Sequence, residues 1–251
     1  MKHMKLEAFF EENPKFALAF SGGVDSTYLL YAAKEAGADV KPYYVKSDFQ
    51  PEFEFDDAKR MAQDLGFEFR VIHLDLLADP VISANPSDRC YYCKKHILDA
   101  IADEAEKDGY GVLCDGTNAS DDPGDRPGVR ALKEYGVRSP LREAGLTKEE
   151  IRRLSREAGL FTWNKPAYAC LATRILTGEE ITFKKLKAVE TCEAYMSELG
   201  FRDFRVRVRG CGALVQIREK DKELYLENKE CIGSYLGEFF EKVTLDPKFR
   251  E

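Results

Sequence analysis

Phe16-Ala17-Leu18-Ala19-Phe20 is a short apolar run that gives way to a glycine turn, and from Asp25 to Ala36 apolar residues recur at helical spacing. This predicts strand, turn, helix. The alternation returns with Val40 to Val45 as a strand, Glu52 to Leu65 as a helix ended by Gly66, and Phe67 to Leu74 as a strand. Cys93 to Ala105 then reads as a helix and Gly111 to Cys114 as a fourth strand. Strands alternating with helices of this length predict an α/β fold with a doubly wound, mostly parallel sheet. Its ligands bind outside the carboxyl ends of the strands, on the rim formed by the loops after Phe20, Val45, Leu74 and Cys114.

From Ser120 to Pro140 the chain is rich in Asp, Gly, Pro and Arg, which predicts a long ordered loop. Thr147 and Glu150 have the spacing of a capping box, opening a helix that runs to about Ala158 and is ended by Gly159. Past an irregular stretch from Phe161 to Gly178, the pattern predicts a helix from Thr182 to Leu199. Two strands, Phe204 to Val208 and Ala213 to Ile217, follow it. The expected organisation is a larger domain over residues 1–165 and a second, smaller α/β domain over 166–251.

The 251 residues carry 38 Lys and Arg against 45 Asp and Glu, a net charge of -7, which argues against stable nucleic-acid binding. No apolar run approaches the roughly 20 residues that span a bilayer, and the polar, acidic start is unlike a signal peptide. The expectation is a cytoplasmic protein with no membrane association. Seven cysteines then read as reduced thiols, to be sorted by spacing into chemistry and packing.

Ser21-Gly22-Gly23-Val24-Asp25-Ser26-Thr27 lies between the first strand and its helix. Two glycines let backbone amides approach an anion, the helix N-terminus adds its dipole, and the serine hydroxyls add donors. Asp25 repels a bare phosphate unless a divalent cation lies between them, so the loop implies a nucleotide with Mg2+. No lysine follows the glycines, so this is not a Walker A loop. The stretch resembles the PP-loop of N-type ATP pyrophosphatases, which cleave ATP to AMP and pyrophosphate while adenylating a substrate. That group includes NAD synthetase, GMP synthetase, tRNA thiolases and the LarE sulfur transferases.

Asp115-Gly116-Thr117-Asn118, followed by Arg126-Pro127-Gly128 and Gly136-Val137-Arg138-Ser139-Pro140-Leu141, offers strand-end polar groups and arginines able to hold phosphate or carboxylate. Together with Trp163-Asn164-Lys165-Pro166 and Ala169-Cys170-Leu171-Ala172-Thr173-Arg174, these residues resemble LarE from residue 16 to about residue 217. The resemblance implies an ATP-dependent sulfurtransferase of nickel-pincer nucleotide synthesis. ATP adenylates a carboxylate of pyridinium-3,5-biscarboxylate mononucleotide, and sulfur replaces the adenylated oxygen. It implies ATP contacts from Ser21, Gly22, Gly23, Asp25, Ser26, Ser47, Gly116 and Asn118, substrate contacts from Arg126, Arg174, Arg205 and Arg207, and a homo-oligomer. The sequence departs from the family pattern at Gly124-Asp125, where Asp-Tyr is usual, and at Leu176-Thr177, where Pro-Tyr is usual. A tRNA thiolase and an amide-forming enzyme like NAD synthetase are the alternatives.

A carboxyl adenylate is attacked by a thiolate or sulfide, which calls for an accessible cysteine. Cys170, with Lys165 and Arg174 near in sequence, matches the position of the LarE sacrificial cysteine, which gives up its sulfur and becomes dehydroalanine. Cys90 and Cys93 form a Cys-x-x-Cys pair, which leaves a second route open: Cys90, Cys93 and Cys170 as ligands of a 4Fe-4S cluster that carries the sulfur. Zinc or packing is the third option for the pair. Cys114, Cys192, Cys211 and Cys231 read as small core residues. Arg205, Arg207 and Arg209 alternate with Val206 and Val208, placing three guanidinium groups on one strand face, either solvated or forming an anion pocket. The LarE resemblance implies that Glu193 lies near the sulfur site, although by itself it reads as an exposed helix residue, and His3, His73 and His96 match no metal spacing.

Overall fold

A computed structural model describes residues 2–121, 124 and 127–250. In chain order its elements begin with α1 (Lys2–Glu12), β1 (Lys15–Ala19), α2 (Val24–Glu35), β2 (Asp39–Lys46), α3 (Glu52–Asp64), β3 (Arg70–His73), α4 (Pro80–Ser83) and α5 (Arg89–Lys107). They continue with β4 (Leu113–Cys114), α6 (Pro127–Glu134), α7 (Pro140–Glu143), α8 (Lys148–Glu157), α9 (Phe183–Glu198) and β5 (Arg205–Arg209). The last four are β6 (Gly212–Gln216), α10 (Lys222–Glu227), α11 (Lys229–Leu236) and β7 (Lys242–Leu245). The chain forms two compact units, Met1–Leu74 with Asp88–Ala167, and Asp75–Ser87 with Tyr168–Glu251.

The first unit is built on a four-stranded sheet of order β3-β2-β1-β4 in which every pairing is parallel. β1 is apolar throughout its middle because both faces are covered. Phe16 and Leu18 enter one core with Leu29 and Leu30 of α2, while Ala17 faces the other with Ile101 and Ala105 of α5. The doubly wound α/β expectation therefore holds. The strand order reverses between β1 and β4, so their loops, after Ala19 and after Cys114, flank the place where such folds bind ligands.

Several elements, among them β7, α10 and α11, were not read from the sequence pattern, and four departures bear on the site. α1 was not expected, but Leu6, Phe9 and Phe10 lie three and four apart and are buried together. The third strand is confined to Arg70–His73. Within the expected loop from Ser120 to Pro140, Pro127 starts α6, whose Ala131 and Leu132 pack on Leu98 of α5. The helix expected from Cys93 begins at Arg89, so Cys90 and Cys93 both lie in its first turns.

The second unit holds a three-stranded sheet, β5 antiparallel to β6 and β6 parallel to β7. Val206, Val208, Ala213 and Val215 line its core, with Leu186, Val189, Cys192 and Met196 of α9 also buried. Asp75–Ser87 belongs to this unit: Asn85, 1% exposed and with φ of 55°, donates through Nδ2 to the carbonyls of Leu176 (2.8 Å) and Glu179 (3.2 Å). Its own carbonyl accepts from Gly178 N at 2.8 Å.

Candidate active site

In the first unit, β1 stops where Gly22 turns the chain at φ +70°, a conformation open to glycine, and a Cβ there would lie 2.6 Å from Ala58 Cβ. Ser21 and Ser26 hydroxyls meet at 3.1 Å, and the Ser26 hydroxyl donates to Gly23 O at 3.3 Å, closing the loop on itself. α2 has Gly23 as its N-cap, with no side-chain cap among the described residues. Its first-turn amides therefore remain available to an anion. Gly116 comes against this turn so closely that a Cβ would stand 2.8 Å from Ser26 N.

Asp25 sits in the first turn of α2, where burial pushes its carboxyl above the ordinary range despite a hydrogen bond from Lys148. Its Oδ1 is buried with no partner among the described residues. Asn118 is 1% exposed, accepting from Ser120 N at 2.8 Å, and Ser47 is buried with its hydroxyl donating to Gln50 Oε1 at 2.7 Å. Lys165, expected to favour a thiolate, is instead held by Glu54 at 2.9 Å and Asp57 at 2.7 Å. Arg126 lies outside the described residues.

Cys90 is exposed and Cys93 buried. Among the described residues, no three His, Cys, Asp or Glu side chains are grouped as a metal site.

In the second unit, Cys170 is half-buried and leads into a 3-10 turn over Leu171–Arg174. Its carbonyl accepts from Thr173 N at 3.0 Å and the Thr173 hydroxyl at 2.8 Å. Arg174 is 1% exposed and donates to the carbonyls of Ala169 (2.7 Å) and Cys170 (3.4 Å) and to both oxygens of Glu193. Burial opposes its charge, yet the Glu193 carboxylate raises its affinity for the proton above the ordinary range. Arg207 donates to Thr173 O at 2.9 Å, so a second guanidinium fixes the same turn. Arg205 is buried, donates to Phe204 O and lies 5.3 Å over the Tyr168 ring.

Two expectations are corrected here. Glu193 is 4% exposed rather than solvated, because it also accepts from Val206 N at 2.8 Å and from the Tyr168 hydroxyl. Cys114 and Cys192 are core residues, but Cys211 and Cys231 are exposed. Burial disfavours the Cys114 thiolate and pushes the Cys192 thiol up to about 12, while hydrogen bonding to Glu241 raises Cys211. Lys148 was missed as a site residue; the only local signal for it was the capping box beside it.

A profile of the family described as Queuosine biosynthesis protein QueC matches residues 15–91, which include the glycine loop. The parallel sheet, that loop and this match define an α/β enzyme of the PP-loop, ATP-utilising class. The chain is 34% identical over 248 residues to pyridinium-3,5-bisthiocarboxylic acid mononucleotide synthase of Lactiplantibacillus plantarum, covering 98% of this chain and 90% of that protein. It is 36% identical over 246 residues to an uncharacterized protein of Synechocystis sp., covering 96% and 91%. Similarity to a tRNA-specific 2-thiouridylase of Clostridium botulinum is 28% over 181 residues, reaching 59% of this chain and 51% of that protein. The chain belongs to the LarE family of ATP-dependent sulfurtransferases. No helix is long and apolar enough to cross a membrane among the described residues.

Proposed function

We propose that the protein adenylates a carboxylate of pyridinium-3,5-biscarboxylate mononucleotide and replaces its oxygen with the sulfur of Cys170. The observation that carries this is Cys170 itself: a half-buried cysteine on a turn whose carbonyls are fixed by two arginines, in a chain of this family. The carboxylate attacks the α-phosphorus of ATP and pyrophosphate leaves. The Cys170 thiolate then attacks the acyl carbon and AMP leaves, giving a thioester. Loss of the Cys170 α-proton and cleavage of its Cβ–Sγ bond give the thiocarboxylate and dehydroalanine.

ATP lies on the amides around Gly22, Gly23 and Ser26, with Gly116, Asn118, Ser21 and Ser47 bordering it. Asp25 Oδ1, without a partner among the described residues, fits a Mg2+ ion, which would screen phosphate from the carboxylate. Arg207, and Arg205 beside it, offer charge to the substrate phosphate; burial and neighbouring cations depress the proton affinity of both, so an arriving anion is favoured. Arg174 acts on the Cys170 turn, since its donors are already committed inside the protein. A 4Fe-4S cluster on Cys90, Cys93 and Cys170 is the alternative sulfur source, supported if the anaerobically purified protein binds iron that Cys90→Ala loses. The short, distant match to the thiouridylase and the net charge of -7 favour a mononucleotide over tRNA as acceptor. Seven free cysteines suit a reducing cytoplasm, and self-association belongs to the same proposal.

The test is single-turnover reaction of Cys170→Ser with ATP, Mg2+ and the biscarboxylated mononucleotide. AMP and pyrophosphate form and thiocarboxylate does not; thiocarboxylate from this variant would contradict the proposal.

A further inference from the structure

Three hydroxyls lie inside the first unit with no hydrogen-bond partner among the described residues: those of Thr27, Ser155 and Thr162. Each of these residues is 0% exposed, so bulk water does not reach them. They sit on three elements that pack against one another pairwise, the first turn of α2, the end of α8 and the 3-10 turn Phe161–Asn164. The backbone holds the last two together: Ser155 O accepts from Leu160 N at 2.9 Å and Leu160 O from Trp163 N at 3.1 Å. Arg152 of α8 also donates to the carbonyls of Trp163 (2.6 Å) and Lys165 (2.8 Å). Leu29 of α2, Ile151 of α8 and Leu160 belong to one apolar core. Packing alone gives no reason for hydroxyls here. Alanine suits a helix interior better than serine, and valine fills the space of threonine with no polar group to desolvate. A buried hydroxyl left unpaired forfeits its hydrogen bonds to water and gains none in return.

We propose that Thr27, Ser155 and Thr162 bind one internal water molecule, which ties the first turn of α2 to α8 and to the 3-10 turn. Water suits the set because each hydroxyl both donates and accepts, and an internal water makes about three hydrogen bonds. A metal ion does not suit it. The three side chains are neutral, and the Arg152 guanidinium is carried on the same face of α8, three residues before Ser155. Thr27 directly follows Ser26 in the chain, so the water anchors the helix on which the glycine loop rests.

A high-resolution crystal structure of the full-length protein and thermal melts of conservative variants test the site. The crystal is expected to show one water within about 2.5–3.0 Å of at least two of the three hydroxyl oxygens. No such water there overturns the proposal. In the melts, Ser155→Ala and Thr162→Val each lower the melting temperature by about 2–4 °C, because each takes a partner from a buried water. The double variant loses less than the sum of the two, since the second hydroxyl is removed from a site the water has already left. Dry hydroxyls give the opposite sign: each substitution then removes an unpaired polar group and raises the melting temperature. Raised or unchanged melting temperatures, or losses that simply add, overturn the proposal.

Discussion

Arg174 and Glu193 meet inside the second unit through two N–H···O bonds, Nε to Oε1 at 2.9 Å and Nη2 to Oε2 at 3.0 Å, with side chains 1% and 5% exposed. A bidentate pair this deeply buried adds little net stability relative to an apolar pair, but removing one partner strands a charge. Because Arg174 also holds the carbonyls of Ala169 and Cys170, the pair sets where the thiol stands. Glu193→Ala is expected to lose about 3–5 kcal/mol in urea unfolding. Glu193→Gln keeps the shape and slows thiocarboxylate formation more than AMP formation in rapid-quench assays.

Close backbone approach around the glycine loop gives a second expectation. Gly116→Ala places a methyl 2.8 Å from Ser26 N and 3.1 Å from Ser26 Cα, and neither backbone atom can swing aside as a side-chain tip would. Pyrophosphate release with saturating carboxylate substrate falls at least tenfold, about 1.4 kcal/mol of transition-state stabilisation. Gly23→Ala, whose Cβ meets only Ser21 Oγ at 3.4 Å, is milder in the same assay.

Local signals made the first half of this architecture readable. Apolar runs and glycine stops gave β1, α2, β2 and α3 to within a few residues, and Thr147 with Glu150 marked the start of α8. Long-range partners were not readable. Glu193 looks like any exposed helix carboxylate until Arg174, 19 residues earlier, and Val206 N close on it. Lys148 reads as a surface lysine because nothing near it in sequence reveals Asp25. The strand β7 is a four-residue run with two polar positions, recognisable only when paired with β6. The charged stretch before α6 hid the apolar pair Ala131 and Leu132.

Glu150 makes the stability of α8 dependent on acid. Its carboxylate accepts from Lys2 Nζ, Thr147 N and the Thr147 hydroxyl, which together lower its pKa from 4.5 to about 2. A depressed carboxylate contributes fully above its unfolded value, so this contribution is present above about pH 4.5 and is lost as pH falls towards 2. Glu150→Gln flattens that part of the stability–pH profile, read as melting temperature across the acid range. Thr147→Ala costs about 1 kcal/mol at neutral pH.

Arg207 provides a test of substrate binding. Its Nη1 bonds Thr173 O at 2.9 Å, while burial and the cations of Arg209, Arg174 and Arg250 depress its proton affinity. Arg207→Ala raises the KM for the mononucleotide about tenfold, and pyrophosphate release at saturation stays within a few-fold of wild type. An unchanged KM would remove Arg207 from the substrate site.

The intact mass of anaerobically purified protein, before and after one turnover with ATP, Mg2+ and the biscarboxylated mononucleotide, tests the sulfur source most directly. The expected result is loss of the elements of hydrogen sulfide, mapped to residue 170 and equal in amount to the AMP and thiocarboxylate formed. Thiocarboxylate formed with an unchanged polypeptide mass would contradict it, and would mean that the sulfur comes from a cluster or an external donor.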